Sequence, residues 1–182
     1  MTILNHTSQI TQHTSKALIL DRDGVINRDR GTYTWRQEDW IWMPGILDLA
    51  RAAAAKDYRI AVVTNQAGIA RGRYDHADVH ALHAFMQKGF EEVGARVDAI
   101  LYCPHYPAAN GRCLCRKPGS LMVERALALL KADPVRSFML GDKERDLIAG
   151  GRAGCRTVMI GEEESDWADA RFLQPDAVID LL

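Results

Sequence analysis

The segment Ala17-Leu18-Ile19-Leu20-Asp21-Arg22-Asp23-Gly24-Val25-Ile26-Asn27 sets the architecture to expect of this 182-residue chain. Four apolar residues run straight into an acidic loop with a glycine placed for a tight turn, the pattern of a buried strand that ends at Asp21. Carboxylates two apart at a strand end project to the same side, so Asp21 and Asp23 can face one ligand.

The arrangement returns downstream. Arg59 to Thr64, R-I-A-V-V-T, is apolar and β-branched and gives way to the turn-rich Asn65-Gln66-Ala67-Gly68. Ala99 to Tyr102 predicts a third strand feeding a Cys/His loop over Cys103 to Lys117. Ser137 to Leu140 predicts a fourth, ending in Gly141-Asp142-Lys143; Arg156 to Ile160 predicts a fifth and Ala177 to Ile179 a short sixth. Between them lie helical patterns. Pro44-Gly45 opens Ile46 to Lys56, where Ile46, Leu49, Ala50 and Ala53 share a face. Asp75 is placed to cap His76 to Val93, with Val79, Leu82, Phe85, Met86 and Phe90 as its stripe and Gly94 as its stop. Further helices are expected from Pro118 to Lys131 and near Asp146 to Ala153. Arg28 to Met43, with Tyr33, Trp35, Trp40 and Trp42, keeps no period and reads as a folded loop or short hairpin. Alternating strands and helices favour an α/β fold, a Rossmann-like three-layer sandwich around a mainly parallel sheet. One domain is expected over 17–182, behind a polar, disordered tail over 1–16.

A net charge of −1, with both signs scattered, gives no electrostatic case for a nucleic acid or an anionic membrane as partner. The first residues lack the apolar core of a signal peptide and no later run approaches a membrane span, so a cytoplasmic protein is expected. In a reducing compartment clustered cysteines favour metal over disulfide. Cys103-x-His105, seven residues, then Cys113-x-Cys115 is a soft tetrahedral set typical of structural Zn²⁺. His76, His80 and His83 share a helical spacing, but no cysteine or carboxylate completes a ligand set, and a solvated helix face is expected. Cys155 is expected to pack under the fifth strand.

In open α/β sheets ligands bind beyond the carboxyl ends of the strands. Asp21 and Asp23, Thr64 and Asn65, and Asp142 all follow predicted strands, and Lys117 can reach the same rim from its loop. Phosphoryl transfer needs a nucleophile, neutralised charge at the transferring oxygens and a proton donor for the leaving group. Asp21 could attack phosphorus, Asp23 could move protons, Asp21 with Asp142 offers oxygen ligands for Mg²⁺, and Lys117 with Thr64 could hold the phosphoryl oxygens. Each feature alone is ordinary, since Asp makes turns and caps helices and Thr is a strand residue. Their joint placement at strand ends carries the reading.

D-R-D-G-V-I-N, V-V-T-N-Q, C-R-K-P and L-G-D-K-x-x-D resemble the four motifs of haloacid dehalogenase-like phosphatases. More narrowly, T-N-Q-A-G-I-A-R-G at Thr64 to Gly72, C-P-H-Y-P at Cys103 to Pro107 and C-L-C-R-K-P at Cys113 to Pro118 resemble the D-glycero-D-manno-heptose-1,7-bisphosphate 7-phosphatase family. The resemblance implies a fold without a large cap domain, and a phosphatase that releases the 7-phosphate during synthesis of ADP-heptose for lipopolysaccharide core. It implies Asp21 as nucleophile, Asp23 as general acid/base and metal ligand through its carbonyl, and Asp142 as the other Mg²⁺ carboxylate. Thr64 and Lys117 would stabilise the phosphoryl group, and Cys103, His105, Cys113 and Cys115 would hold Zn²⁺. Substrate contacts are implied for Asp29, Arg30, Gly31, Thr32, Asn65, Gln66, Ala67, Arg116 and Lys143, with Ala67 standing where the family usually has serine. The partner expected is a small sugar bisphosphate, and the protein a monomer. Two other readings remain: a histidinol-phosphate phosphatase, which shares the motifs and the zinc loop, and a non-catalytic zinc-stabilised binding module.

Overall fold

The computed structural model describes residues 15–182, so most of the expected tail lies outside the described residues. Ser15 and Lys16, assigned to that tail from sequence, are built into the fold. The Ser15 hydroxyl donates to the Leu130 carbonyl at 2.6 Å, and Lys16 opens the first strand.

Six strands form one sheet: β1 (Lys16–Leu20), β2 (Tyr58–Asn65), β3 (Val97–Cys103), β4 (Phe138–Gly141), β5 (Arg156–Ile160) and β6 (Ala170–Phe172). Their order is β3-β2-β1-β4-β5-β6 and every pairing is parallel. The helices are α1 (Ile46–Ala55), α2 (His76–Glu92), α3 (Pro107–Asn110), α4 (Leu121–Leu130) and α5 (Glu144–Arg152).

The two-residue period of a strand divides the core. Leu18 and Leu20 of β1 join Ile60 and Val62 of β2 in one buried cluster with residues of α1 and α2. Ala17 and Ile19 join Ala61 and Val63 in another with residues of α4 and α5. With both faces covered, these strands are continuous apolar runs rather than alternating ones. Each buried Leu or Ile contributes about 1.5–3 kcal/mol relative to exposure, so the centre of the sheet is the most strongly held part of the chain. No helix among the described residues is long and apolar enough to cross a membrane.

Three expectations change. Ala177 to Ile179 is not a strand; it lies in a 3-10 helix, Pro175–Leu181, which Pro175 opens and which buries Val178. The sixth strand is Ala170–Phe172, paired with Val158 to Ile160. Pro118 does not start a helix: the amide of Gly119 turns back to the Arg116 carbonyl at 2.8 Å, and α4 begins at Leu121. The histidine face is split. His76 and His80 are exposed, each 2.8 Å from the Tyr102 hydroxyl. His83 is buried, and its pKa falls to about 3 because of that burial and, next, the Arg22 charge. Its position at helical spacing carries it beside Arg22 and Asp23 rather than into water.

The aromatic loop is folded without regular strands. It contains a 3-10 turn, Gln37–Asp39, and an isolated bridge from Asn27 to Trp42. Trp40 and Trp42 meet edge to face at 5.1 Å, and Trp40 meets Phe85 of α2 at 5.9 Å, which anchors one side of the loop.

Candidate active site

The parallel sheet brings the ends of β1, β2 and β4 to one rim. Asp21 follows Leu20, and its amide donates to the Leu140 carbonyl of β4 at 2.9 Å, so the strand pairing itself fixes the backbone of the first carboxylate. Its Oδ1 accepts from the Arg22 amide at 2.7 Å and lies 2.8 Å from Lys117 Nζ. The described residues place no hydrogen bond on Oδ2.

Lys117 is buried, and three acceptors surround its ammonium: the Val63 carbonyl at 2.7 Å, Asp21 Oδ1 at 2.8 Å and Asp146 Oδ1 at 2.8 Å. Burial would lower its pKa, but Asp146 and Asp21 outweigh that and hold it above the usual lysine value. Asn65 fixes the lysine's backbone, accepting from its amide and donating to its carbonyl, each at 3.1 Å. Asn65 thus ties β2 to the incoming loop across fifty-two residues of sequence.

Asp23 is only partly exposed and is held by three side chains. Arg22 Nη2 reaches both its oxygens at 2.9 Å, Asn27 Nδ2 donates at 3.0 Å and Gln66 Nε2 at 3.1 Å. Burial would raise its pKa, but Arg22, Asn27 and Gln66 together hold it below the usual carboxylate value. Gln66 also donates to Thr64 Oγ1 at 2.9 Å and accepts from the Tyr74 hydroxyl at 2.7 Å. It is buried, with its amide fully engaged, and braces Asp23 and Thr64.

Asp142 enters from β4. Gly24 lets the loop pass close to it: its φ is +90°, and a β-carbon at that position would stand only 2.3 Å from the Asp142 carboxyl, so no other residue fits there. Ligand oxygens of Asp21, Asp142 and Asp146 lie within 4.8 Å of one another, and Asp142 Oδ1 is buried without a hydrogen-bond partner. Burial first, and then Asp21 and Asp146, push Asp142 up to about 7; burial pushes Asp21 up to about 6, against the pull of Lys117. Crowded carboxylates with an orphaned oxygen are the environment a hard divalent cation relieves, so the donor set fits Mg²⁺.

The linkage has a definite sign. Both folded pKa values exceed the 3.8 of an ordinary Asp, so these groups favour the fold below about pH 4 and lose that contribution as pH rises through about 7. Mg²⁺ held there would require the ionised carboxylates. Melting curves with and without excess Mg²⁺ should therefore show a clear gain in Tm near pH 8 and almost none near pH 5. Equal gains at both would contradict the assignment.

Of the other expected contacts, Asp29, Gly31 and Thr32 line a cavity of about 370 Å³ together with Asp23, Asn65, Ala67 and Arg116. Arg30 is turned away, paired with Asp39 at 2.6 Å on the surface. Lys143 lies 3.6 Å from Asp142 and 2.5 Å from Glu163. Arg116 donates to the His105 carbonyl at 3.2 Å. Sequence reasoning missed Asp146, fully buried against Lys117, and Arg22, which joins Asp23 to the Thr34 carbonyl at 2.7 Å. The second aspartate of G-D-K-E-R-D and the arginine between two aspartates were the available signals.

Cys103, His105, Cys113 and Cys115 converge as expected, their ligand atoms all within 4.8 Å. Cys115 lies 3.3 Å from Cys103, 3.6 Å from Cys113 and 3.4 Å from His105 Nδ1, close to the edges of about 3.7 Å that a tetrahedral zinc–thiolate centre requires.

This geometry has known counterparts. A D-glycero-beta-D-manno-heptose-1,7-bisphosphate 7-phosphatase from Helicobacter pylori is 41% identical over 149 residues, covering 81% of this chain and 84% of its own. The chain belongs to the heptose-1,7-bisphosphate 7-phosphatase family. A D-glycero-alpha-D-manno-heptose-1,7-bisphosphate 7-phosphatase from Campylobacter jejuni is 38% identical over 155 residues, 85% of this chain and 87% of its own. Residues 114–182 also match the HAD-hydrolase-like family model. The crystal structure of a D,D-heptose 1,7-bisphosphate phosphatase from B. bronchiseptica, complexed with magnesium and phosphate, superposes with a TM-score of 0.83 at 31% identity, covering 91% of this chain and 97% of that one. Family membership makes this chain a phosphatase of the haloacid dehalogenase-like class, with the capless Rossmann-like fold described above.

Proposed function

We propose that this protein hydrolyses the 7-phosphate of D-glycero-D-manno-heptose 1,7-bisphosphate through an aspartyl-phosphate intermediate, as a cytoplasmic monomer supplying ADP-heptose for lipopolysaccharide core. The observation that carries the reading is the meeting of Asp21, Asp23, Thr64, Lys117 and Asp142 at one rim, in a chain that shares most of its length with enzymes of that name.

The geometry supports the following order of steps. With Oδ1 of Asp21 held by Arg22 and Lys117, Oδ2 is the oxygen left to attack phosphorus. As the Oδ2–P bond forms, the bond from phosphorus to the sugar oxygen breaks, and the electron pair leaves with that oxygen, which takes a proton from Asp23. A phosphoryl dianion beside Asp23 opposes its ionisation, which supplies the proton affinity that Arg22, Asn27 and Gln66 withhold in the free protein. Asp23 then removes a proton from water, the water oxygen attacks phosphorus, and the Oδ2–P bond breaks to restore Asp21 and release phosphate. Lys117 and the Thr64 hydroxyl hold the phosphoryl oxygens, while Asp146 keeps the ammonium in place. Asp21, Asp142 and the Asp23 carbonyl would hold Mg²⁺, which when bound neutralises charge at the transferring group. The four-ligand cysteine–histidine set would hold structural Zn²⁺.

Phosphate release from both anomers of heptose 1,7-bisphosphate, from fructose 1,6-bisphosphate and from histidinol phosphate tests the reading. One heptose anomer should exceed the other substrates in kcat/KM by about 10²-fold or more. A preference for histidinol phosphate would overturn the substrate assignment, and no release from any of the four would favour the binding-module reading.

A further inference from the structure

A sugar bisphosphate carries a second phosphate that the catalytic rim does not touch. The geometry points to Arg71 as the residue that recognises it, gripping the distal phosphate together with Arg116; this rests on the bisphosphate reading above.

Asp23, Asn65, Arg71, Tyr106, Arg116 and Arg145 line the same cavity of about 370 Å³, so it opens directly onto the proton-moving carboxylate. Its three guanidinium groups are not equivalent. Arg145 lies 3.9 Å from Asp146 and is drawn toward that carboxylate. Arg71 and Arg116 have no carboxylate within 4.0 Å among the described residues. Arg116 is steadied by a carbonyl, and Arg71 by two tyrosines: its Nη1 donates to the Tyr33 hydroxyl at 2.9 Å and its guanidinium lies 4.9 Å from the centre of the Tyr106 ring. Neutral partners orient a guanidinium without spending its charge, and its remaining N–H groups suit the oxygens of a phosphate.

The loop that carries Arg71 is also held in place. The Ala70 amide donates to the Pro104 carbonyl at 3.3 Å, and that of Arg71 to Ala67 at 3.2 Å. Gly68 lies so close to Tyr74 that a β-carbon would stand 2.1 Å from its ring, and Tyr74 in turn meets Tyr33 edge to face at 5.6 Å. Arg71 is therefore positioned before substrate arrives by the aromatic loop on one side and the cysteine loop on the other. The two arginines come from separate segments, the loop after β2 and the cysteine loop, and line one cavity with Asp23, so a substrate whose reacting phosphate lies at the rim can present its second phosphate to both.

The test compares a bisphosphate with a monophosphate. In Arg71→Ala the ratio of kcat/KM for heptose 1,7-bisphosphate to that for p-nitrophenyl phosphate should fall about 30-fold, the loss appearing in KM for the bisphosphate, as expected when a charge-assisted contact made equally in ground and transition states is removed. Arg71→Lys should recover part of the ratio. Tyr33→Phe, which keeps the guanidinium but removes one of its tethers, should lose only a few-fold. If Arg71→Ala lowers kcat on both substrates equally, or if Tyr33→Phe matches it, Arg71 is a structural brace and the inference fails. If the wild-type protein prefers fructose 1,6-bisphosphate and Arg71→Ala still reduces its bisphosphate-to-monophosphate ratio, the heptose assignment fails while Arg71 keeps its role.

Discussion

Asp21→Asn is expected to lower kcat by about 10⁵-fold or more while leaving the protein folded, because it replaces the attacking carboxylate by a neutral amide of nearly the same shape. The site is arranged so that the substitution tests chemistry and not stability. Asp21 is buried and its pKa is already pushed up to about 6, so a neutral isostere is well tolerated there. Lys117 keeps its other two acceptors, the Val63 carbonyl and Asp146, so its ammonium is not stranded. Melting temperature in the absence of metal should therefore hold or rise slightly. Rapid quench of the wild-type enzyme with labelled substrate should trap phosphate on the protein, and the variant should trap none. Turnover above about one hundredth of wild type in Asp21→Asn would remove the aspartyl-phosphate mechanism.

The parts of this site that could be read from the chain are those announced by a buried strand. β1, β2, β4 and β5 are covered on both faces, so their apolar runs stand out, and the polar residues at or just past the ends of the first three, Asp21, Thr64 and Asp142, are placed at the rim by chain direction alone. The cysteine set could be read from its spacing. What could not be read depends on contacts across the sheet. β6 is three residues with Arg171 exposed in the middle, and it exists because Val158 to Ile160 offer it a partner. His83 keeps the spacing of two exposed histidines yet is buried, because the depth of a helix face is decided by what packs over it. Asp146 reads in the sequence only as the start of a helix and Gln66 as a substrate contact; the first is the counter-ion of Lys117 and the second the brace between Asp23 and Thr64. Arg71 lies in the stretch Thr64 to Gly72 that carries the family resemblance, yet no role could be read for it because its partners, Tyr33 and Tyr106, lie on two other loops.

With Zn²⁺ in the cysteine–histidine loop, as proposed above, its removal should have the largest effect on stability. The segment between β3 and α4 carries one four-residue helix, and its other regular contacts are a few turns, such as Tyr106 donating from its amide to Asn110 at 3.0 Å. Little apolar surface closes over it, and Leu114 at its tip is 81% exposed. Burial pushes the Cys103 thiol up to about 12, so the metal-free loop holds a neutral thiol in the core that Zn²⁺ would deprotonate and bind. Structural zinc is worth about 10–16 kcal/mol in isolated finger peptides, where the whole fold depends on it. Here the sheet folds on its own core, and a loss nearer about 4 kcal/mol is expected, which for a chain of this length lowers Tm by roughly 10 °C. Cys115→Ser, with metal content read by elemental analysis, should drop from one zinc per chain to near none with that shift. The kinetic consequence should fall unevenly. Arg116 depends on the His105 carbonyl for its position, whereas Lys117 is also tied to Asn65 through both backbone atoms. KM for the bisphosphate should therefore rise more than kcat falls. A zinc-free protein with unchanged Tm would overturn the structural assignment, and a fall confined to kcat would place the loop's influence on Lys117 rather than on substrate recognition.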